Sequence, residues 1–157
     1  MRESFRTGLS FGLTSGIITT LGLMVGLNSG THSRIAVLGG ILTIAIADAL
    51  SDSLGIHTSE EAENHHTHHE VWESTFSTFV AKFLFALTFA VPILLFSLST
   101  AVIVSIAWGL SMLILLNYRI AKLQKITPWK VILEHLTIAV AVIITTYFVG
   151  ILLSYLS

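Results

Sequence analysis

Five long apolar segments follow one another along the 157 residues of this chain, and they constrain its fold more than any other feature. A helix needs about 20 apolar residues to cross the hydrocarbon core of a bilayer. The segments cover residues 7–27, 34–55, 76–96, 100–116 and 131–156, so we expect five transmembrane helices. Because 54% of the residues are hydrophobic and only 11% are charged, little remains for a soluble domain. We therefore expect an all-α polytopic membrane protein in which residues 1–157 form a single transmembrane domain.

Lysine and arginine are distributed unequally between the two sides of these spans. Arg2 and Arg6 precede the first span, and a basic group lies between the fourth and fifth spans at Arg119, Lys122, Lys125 and Lys130. The opposite side has only Arg34. Because cytosolic loops are enriched in basic residues, we expect a cytosolic N-terminus and a C-terminus outside. A prokaryotic cell membrane is expected rather than a vacuolar membrane.

Two aspartates lie in the second apolar segment, one helical turn apart. Asp48 and Asp52 are spaced i, i+4, which places both on one helix face. Ionisable groups at membrane depth are costly and usually mark a pathway or a binding site. Lys82, the only basic residue inside the neighbouring spans, is expected to snorkel to the cytosolic interface. The aspartates then lack a counter-charge, so they predict a site for a cation or a proton. The alternative is a buried polar pair that joins helices.

A segment rich in histidine and glutamate, residues 57–73, follows the aspartates directly. Five histidines fall within the 13 residues from 57 to 69. Imidazole suits zinc, iron, copper and nickel, and carboxylate oxygen suits manganese and ferrous iron. We therefore expect a cytosolic metal-capture segment formed by Glu60, Glu61, Glu63, His65, His66, His68, His69 and Glu70. If the second helix continues past Gly55, Glu60 and Glu63 extend the stripe of the aspartates into this segment. The alternative is a solvated, flexible loop.

Small residues form a stripe along the first apolar segment. Gly8, Gly12 and Gly16 are spaced i, i+4, and so are Gly22 and Gly26. This spacing permits close approach of two membrane helices. The stripe predicts a dimer seam or a pore-lining face, or else packing within one subunit. On the first segment, Met24 is a soft candidate ligand, with packing as the alternative.

Three stretches of the chain are similar to one family of membrane proteins. They are the glycine-rich FGLTSGIITTLGLMVGL at 11–27, ADALSDSLGIHTSEEAE at 47–63 and TPWK at 127–130 before the last span. Together they resemble the vacuolar iron transporter family, which carries ferrous iron and manganese. The resemblance implies a homodimer through the first helix and export of Fe²⁺ or Mn²⁺ from the cytosol in exchange for protons.

The chain also departs from that family. Ser15 lies where the family usually has an aspartate, Asp48 where it often has a methionine, and Gly40 where a glutamate is common. We therefore expect the intramembrane ligands at Asp48 and Asp52. Ser15 is a possible additional contributor, as are His57, Glu134 and His135; the last two lie at the cytosolic start of the fifth span, where an interfacial position is the alternative.

The sequence predicts a bilayer-embedded transporter, not an enzyme, whose substrate is a divalent transition metal: Fe²⁺ or Mn²⁺, with Zn²⁺ as a further candidate. Protons are the expected counter-ion. No glycine-rich nucleotide loop and no H-E-x-x-H helix occurs, so we expect neither an organic cofactor nor a nucleic-acid partner. Two other classes stay open: a membrane-embedded metal sensor or buffer without transport, and a metal-independent proton or solute carrier.

Overall fold

A computed structural model describes residues 3–63 and 65–156 as a bundle of helices. The helices are α1 (Glu3–Thr31), α2 (Arg34–Ala62), α3 (His68–Thr88), α4 (Ala90–Leu95), α5 (Leu98–Gln124) and α6 (Pro128–Ser154). No strand occurs among these described residues. The short α4 continues α3 to form one span, so five helices are long and apolar enough to cross a membrane. This confirms the all-α fold with five candidate spans. Membrane orientation stays a prediction, and Arg2 lies outside the described residues.

The helices extend beyond the apolar segments that predict them. α2 continues past Gly55 to Ala62, and α3 begins at His68 rather than at residue 76. Thr67 and Glu70 form a capping box at the start of α3, in which each side chain bonds to a backbone N–H of the other residue. Polar residues can thus continue a helix outside the apolar zone. The longer α3 moves Lys82 from near the start of its span to close to its midpoint.

The third span is interrupted at Phe89, three residues before Pro92. Proline lacks a backbone N–H, and its ring crowds the carbonyl four residues earlier, which here belongs to Thr88. Just before the proline, the N–H of Phe89 bonds to the carbonyl of Ala86, three residues earlier, at 3.1 Å. The chain then turns at Phe96 and Ser97 and enters α5.

The first helix is the central element of the bundle, because α3, α6, α2 and α5 all pack against it. Its glycines make the closest of these approaches. A Cβ atom added to Gly12 would lie 2.6 Å from the Thr78 carbonyl oxygen of α3, and one added to Gly22 would lie 2.6 Å from a methyl group of Val142 on α6. The glycine stripe therefore packs within one chain. Of the alternatives predicted for the stripe, these contacts favour packing within one subunit, and a homodimer stays a prediction.

Candidate intramembrane cation site

Five polar side chains from three helices meet in the middle of the bundle, and we call this group the central cluster. It consists of Ser15 and Thr19 on α1, Asp48 and Asp52 on α2, and Lys82 on α3. Asp48 is the middle residue of α2, and Lys82 lies close to the midpoint of the span His68–Leu95. Ser15 and Thr19 flank the midpoint of α1. The cluster therefore lies near the middle of three helices that are long and apolar enough to cross a membrane, and charge is costly inside such a segment.

The ammonium group of Lys82 joins the two carboxylates. Lys82 Nζ lies 2.6 Å from Asp48 Oδ2 and also donates to Asp52 Oδ2 and, at 2.9 Å, to the hydroxyl of Ser15. Ser15 Oγ donates to Asp52 Oδ2 at 2.6 Å, and Thr19 Oγ1 donates to Asp48 Oδ2 at 2.9 Å. Each carboxylate thus accepts hydrogen bonds from Lys82 and from one hydroxyl of α1. Such charge-assisted hydrogen bonds are the strong ones in proteins.

The sequence positions these groups through spacing and through small residues. Ser15 and Thr19 are spaced i, i+4, as are Asp48 and Asp52, so each pair lies on one face of its helix. Gly16 lies directly beside Lys82, since a Cβ atom on Gly16 would be 3.1 Å from Lys82 Cγ. The absence of a side chain at Gly16 therefore lets the lysine stem pass α1 and reach α2.

The central cluster is unevenly enclosed. The Lys82 side chain is 1% exposed, whereas the side chains of Asp48 and Asp52 are 27% and 23% exposed. With all three groups ionised, two negative charges and one positive charge leave a net charge of −1. The cluster thus combines an unbalanced negative charge with an open side at the carboxylates.

Lys82 contradicts two expectations from the sequence. It does not snorkel to an interface, and the aspartates do not lack a counter-charge. The error arose because the polar start of α3, residues 68–75, was expected to lie outside the helix. Thr19 was not among the site residues predicted from the sequence. Its position one turn after Ser15, opposite two aspartates one turn apart, is the signal that could have identified it.

The histidine- and glutamate-rich segment is split between helix ends and a short connection. Glu60 belongs to α2 and is largely buried, and its carboxylate lies 3.2 Å from Nε2 of His66. Glu63, which follows α2, lies 3.8 Å from the same nitrogen. His57 faces α3, where Nδ1 lies 2.9 Å from the hydroxyl of Thr75. Glu60 and Glu63, which were expected to extend the stripe of the aspartates, therefore differ: Glu60 is buried and Glu63 is exposed.

The remaining capture residues are not gathered around one point. Glu61, His65, His68 and His69 are exposed, and Glu70 caps α3. Within residues 3–63 and 65–156, no group of three or more His, Asp or Glu side chains is arranged to hold a metal ion. The structure brings Glu60, Glu63 and His66 near one another as ion pairs, and it does not assemble a preformed metal cage from the whole segment.

The other candidate ligands lie apart from the central cluster, with the exception of Ser15. Met24 is fully buried in the apolar core with Leu21 and Ile41. Glu134 is exposed near the start of α6, and Nδ1 of His135 lies 2.9 Å from the Val131 carbonyl of its own helix. These positions favour the packing and interfacial alternatives for all three residues.

Comparison with family models, with curated proteins and with solved structures finds no match for this chain. The likeness to the vacuolar iron transporter family therefore rests only on the three sequence stretches described above. The functional argument consequently depends on the geometry and charge of the central cluster.

Proposed function

We propose that this protein is a membrane carrier that exchanges a cation for protons at the central cluster. One observation carries the proposal: two partly open carboxylates and a buried lysine meet near the middle of three candidate spans, with a net charge of −1 when all three groups are ionised. Buried ion pairs are weak contributors to stability, because desolvation offsets much of their attraction. Charged groups at this depth are accordingly more often explained by a transported ion than by packing.

The charge of the cluster indicates how protons and a divalent cation would compete. In a medium of low dielectric constant the neutral states are favoured. One added proton neutralises the cluster, since it cancels the net charge of −1. A divalent cation also gives neutrality if Lys82 releases its proton, because the charges are then −2 and +2. Exchange between these two neutral states moves one divalent cation against two protons, which is an electroneutral antiport.

Lys82 would act in this exchange as a cation attached to the protein. Its ammonium group contacts both carboxylates when no guest is present. An entering cation must therefore replace Lys82 at the carboxylates. Cation entry is then coupled either to loss of a proton from Lys82 or to movement of the Lys82 side chain. A neutral lysine amine is itself an acceptable nitrogen ligand for a transition metal.

The histidines and glutamates favour a divalent transition metal as the cargo: Fe²⁺ or Mn²⁺, with Zn²⁺ as a further candidate. Glu60, Glu63 and His66 lie close together at the end of α2, at the side from which Asp52 would be reached along the same helix. A metal ion entering there would replace the contacts of His66 with the two carboxylates. By the positive-inside rule this side is cytosolic, and the proposed direction is therefore out of the cytosol.

A second copy of the chain would cover the open side of the carboxylates. The outer face of α2 presents small residues at every fourth position, all exposed: Gly39, Thr43, Ala47, Ser51 and Gly55. The outer face of α6, in contrast, presents bulky residues suited to lipid, such as Ile144 and Phe148. Small residues allow two membrane helices to approach closely. We therefore place the proposed homodimer contact on α2 instead of on the glycine stripe of α1.

The proposal is tested by flux in proteoliposomes under an imposed pH gradient. Uptake of Mn²⁺ or Fe²⁺ by the original protein is compared with that of Asp48→Asn and Asp52→Asn. Glu134→Gln serves as the control, because it removes an exposed carboxylate far from the cluster. We expect both aspartate variants to lose proton-coupled flux and the control to retain it. Undiminished flux in the aspartate variants would exclude the central cluster as the path.

A metal-independent, proton-linked carrier is the second candidate. It is favoured by the absence of an assembled group of three metal-binding side chains in the described part of the chain and by Lys82 filling the space between the carboxylates. Replacing His65, His66, His68 and His69 by glutamine distinguishes the two candidates. Loss of metal flux supports the metal carrier, and intact proton-linked flux of another solute supports the alternative. Metal binding without any flux would instead indicate a sensor or buffer.

A further inference from the structure

A groove between α1 and α5 combines a polar recess with an apolar slot. The recess has a volume of about 350 Å³, and Arg6, Ser10 and Gln124 are among the residues that line it. The slot has a volume of about 240 Å³ and is bordered by apolar side chains, including Ile17 and Leu116, with Arg119 at its edge. The two cavities therefore differ in polarity, although both lie beside α1 and α5; Phe85 of α3 also borders the slot.

The recess and the slot follow one another along α1 and α5, and we call the two together the α1–α5 groove. Arg6, Ser10, Leu13 and Ile17 are spaced by four, three and four residues, which places them on one face of α1. The slot begins at Ile17, the midpoint of α1, and the recess lies at its N-terminal end. From Ile17 to Arg6 the helix rises about 16 Å. This distance matches half the thickness of a bilayer core, about 15 Å.

The charge of the groove fits a phosphodiester group. Arg6 lines the recess and Arg119 borders the slot, whereas Glu3 is the single acidic residue lining either cavity. Two arginines and one glutamate leave a net charge of +1, opposite to that of a phosphodiester. Arginine binds phosphate oxygens in bidentate fashion. Further basic residues, Lys122 and Lys125, follow on α5 and just beyond it, so the end of the bundle attracts anionic lipid headgroups.

We propose that the α1–α5 groove binds one anionic phospholipid from the surrounding bilayer. An acyl chain occupies the apolar slot along Leu13, Ile17 and Leu116, and the phosphate lies between Arg6 and Arg119. The match in polarity and charge distinguishes this groove from the mainly apolar cavity between α1 and α3, which is lined by Phe76, Leu84 and other residues without a basic group. The lipid site does not depend on the proposed cation exchange.

Native mass spectrometry of protein released from bilayers of phosphatidylglycerol and phosphatidylcholine tests the proposal. We expect one phosphatidylglycerol per chain to be retained in preference to phosphatidylcholine. Arg119→Gln should reduce its retention about tenfold, as expected for loss of one charge-assisted contact. Lys130→Gln removes the same charge at the same end of the bundle but outside the groove, and it should leave retention unchanged. Leu116→Trp should also release the lipid by filling the slot.

Three results would overturn the proposal. The first is equal retention of the two lipids, and the second is an equal effect of Arg119→Gln and Lys130→Gln, which would indicate general surface charge. The third is displacement of the lipid by an equal concentration of glycerol phosphate, which would indicate a phosphate site without a role for the acyl chain. If Leu116→Trp does not fold, as judged by circular dichroism, the comparison of the two charge variants still decides the question.

Discussion

Replacing Lys82 by methionine should lower the thermal stability of the protein because it leaves two carboxylates at mid-span without a counter-charge. Removing one partner of a buried ion pair costs about 3–5 kcal/mol. The carboxylates are 27% and 23% exposed, so we take the lower limit, about 3 kcal/mol. For a chain of this length 1 kcal/mol corresponds to roughly 2–4 °C in Tm. The expected decrease is therefore about 6–12 °C, measured by circular dichroism in detergent at neutral pH.

Removing all three charges together should restore stability. In the triple variant Lys82→Met/Asp48→Asn/Asp52→Asn, the amide oxygens still accept hydrogen bonds from the hydroxyls of Ser15 and Thr19. Replacing a buried ion group by neutral residues of similar volume is often neutral or stabilising. We expect the Tm of the triple variant to equal or exceed that of the original protein.

Two outcomes would refute this reasoning. A Tm of Lys82→Met equal to that of the original protein would mean that the ion pairs are solvated and contribute no stability. A triple variant less stable than Lys82→Met would mean that the central cluster holds the helices together as a polar joint. In that case the charges would be explained by structure, and the argument for a transported cation would lose its basis. Glu134→Gln is the matched control for loss of a carboxylate.

Three further predictions concern packing, capping and assembly. Gly12→Ala should lower the Tm, since overpacking costs about 1–3 kcal/mol and its Cβ atom would lie 2.6 Å from the α3 backbone. Gly55→Ala meets nothing within 4 Å in its own chain, so it should not lower the Tm of the single chain. Glu70→Gln should leave the affinity for Mn²⁺ unchanged in a binding titration. Glu70 caps α3, and glutamine preserves the capping box. A large loss of Mn²⁺ affinity would instead indicate that Glu70 is a ligand. The chain has no cysteine, so a single introduced cysteine can report on the dimer contact. On oxidation in membranes, Ser51→Cys on α2 should form disulfide-linked dimers, whereas Ile144→Cys on the outer face of α6 should not. The opposite result would place the dimer contact on α6.

The spans could be predicted from the sequence because a bilayer demands about 20 apolar residues in a helix. The ends of α2 and α3 could not, because the polar residues beyond Gly55 and before residue 76 are helical for local reasons such as the cap at Thr67. Because α3 was expected to begin at residue 76, Lys82 was placed near the start of its span, and its contact with the aspartates was missed. The spacing of Asp48 and Asp52 predicted that both lie on one face of α2. That Lys82 contacts this face depends on how α3 packs on α1. Hydropathy and spacing do not encode that packing.

Lys82 also bears on how the two carboxylates of the proposed cation site pack inside the bundle. Two carboxylates alone at mid-span would repel each other and would be costly to desolvate. The ammonium group of Lys82 supplies a positive charge from within the bundle, so the helices can pack with Asp48 and Asp52 facing this group and the hydroxyls of α1. The consequence is that any guest must compete with an attached ammonium group at high effective concentration. Such competition lowers the affinity for the cation and favours its release, which is what a carrier requires and what a storage site would avoid.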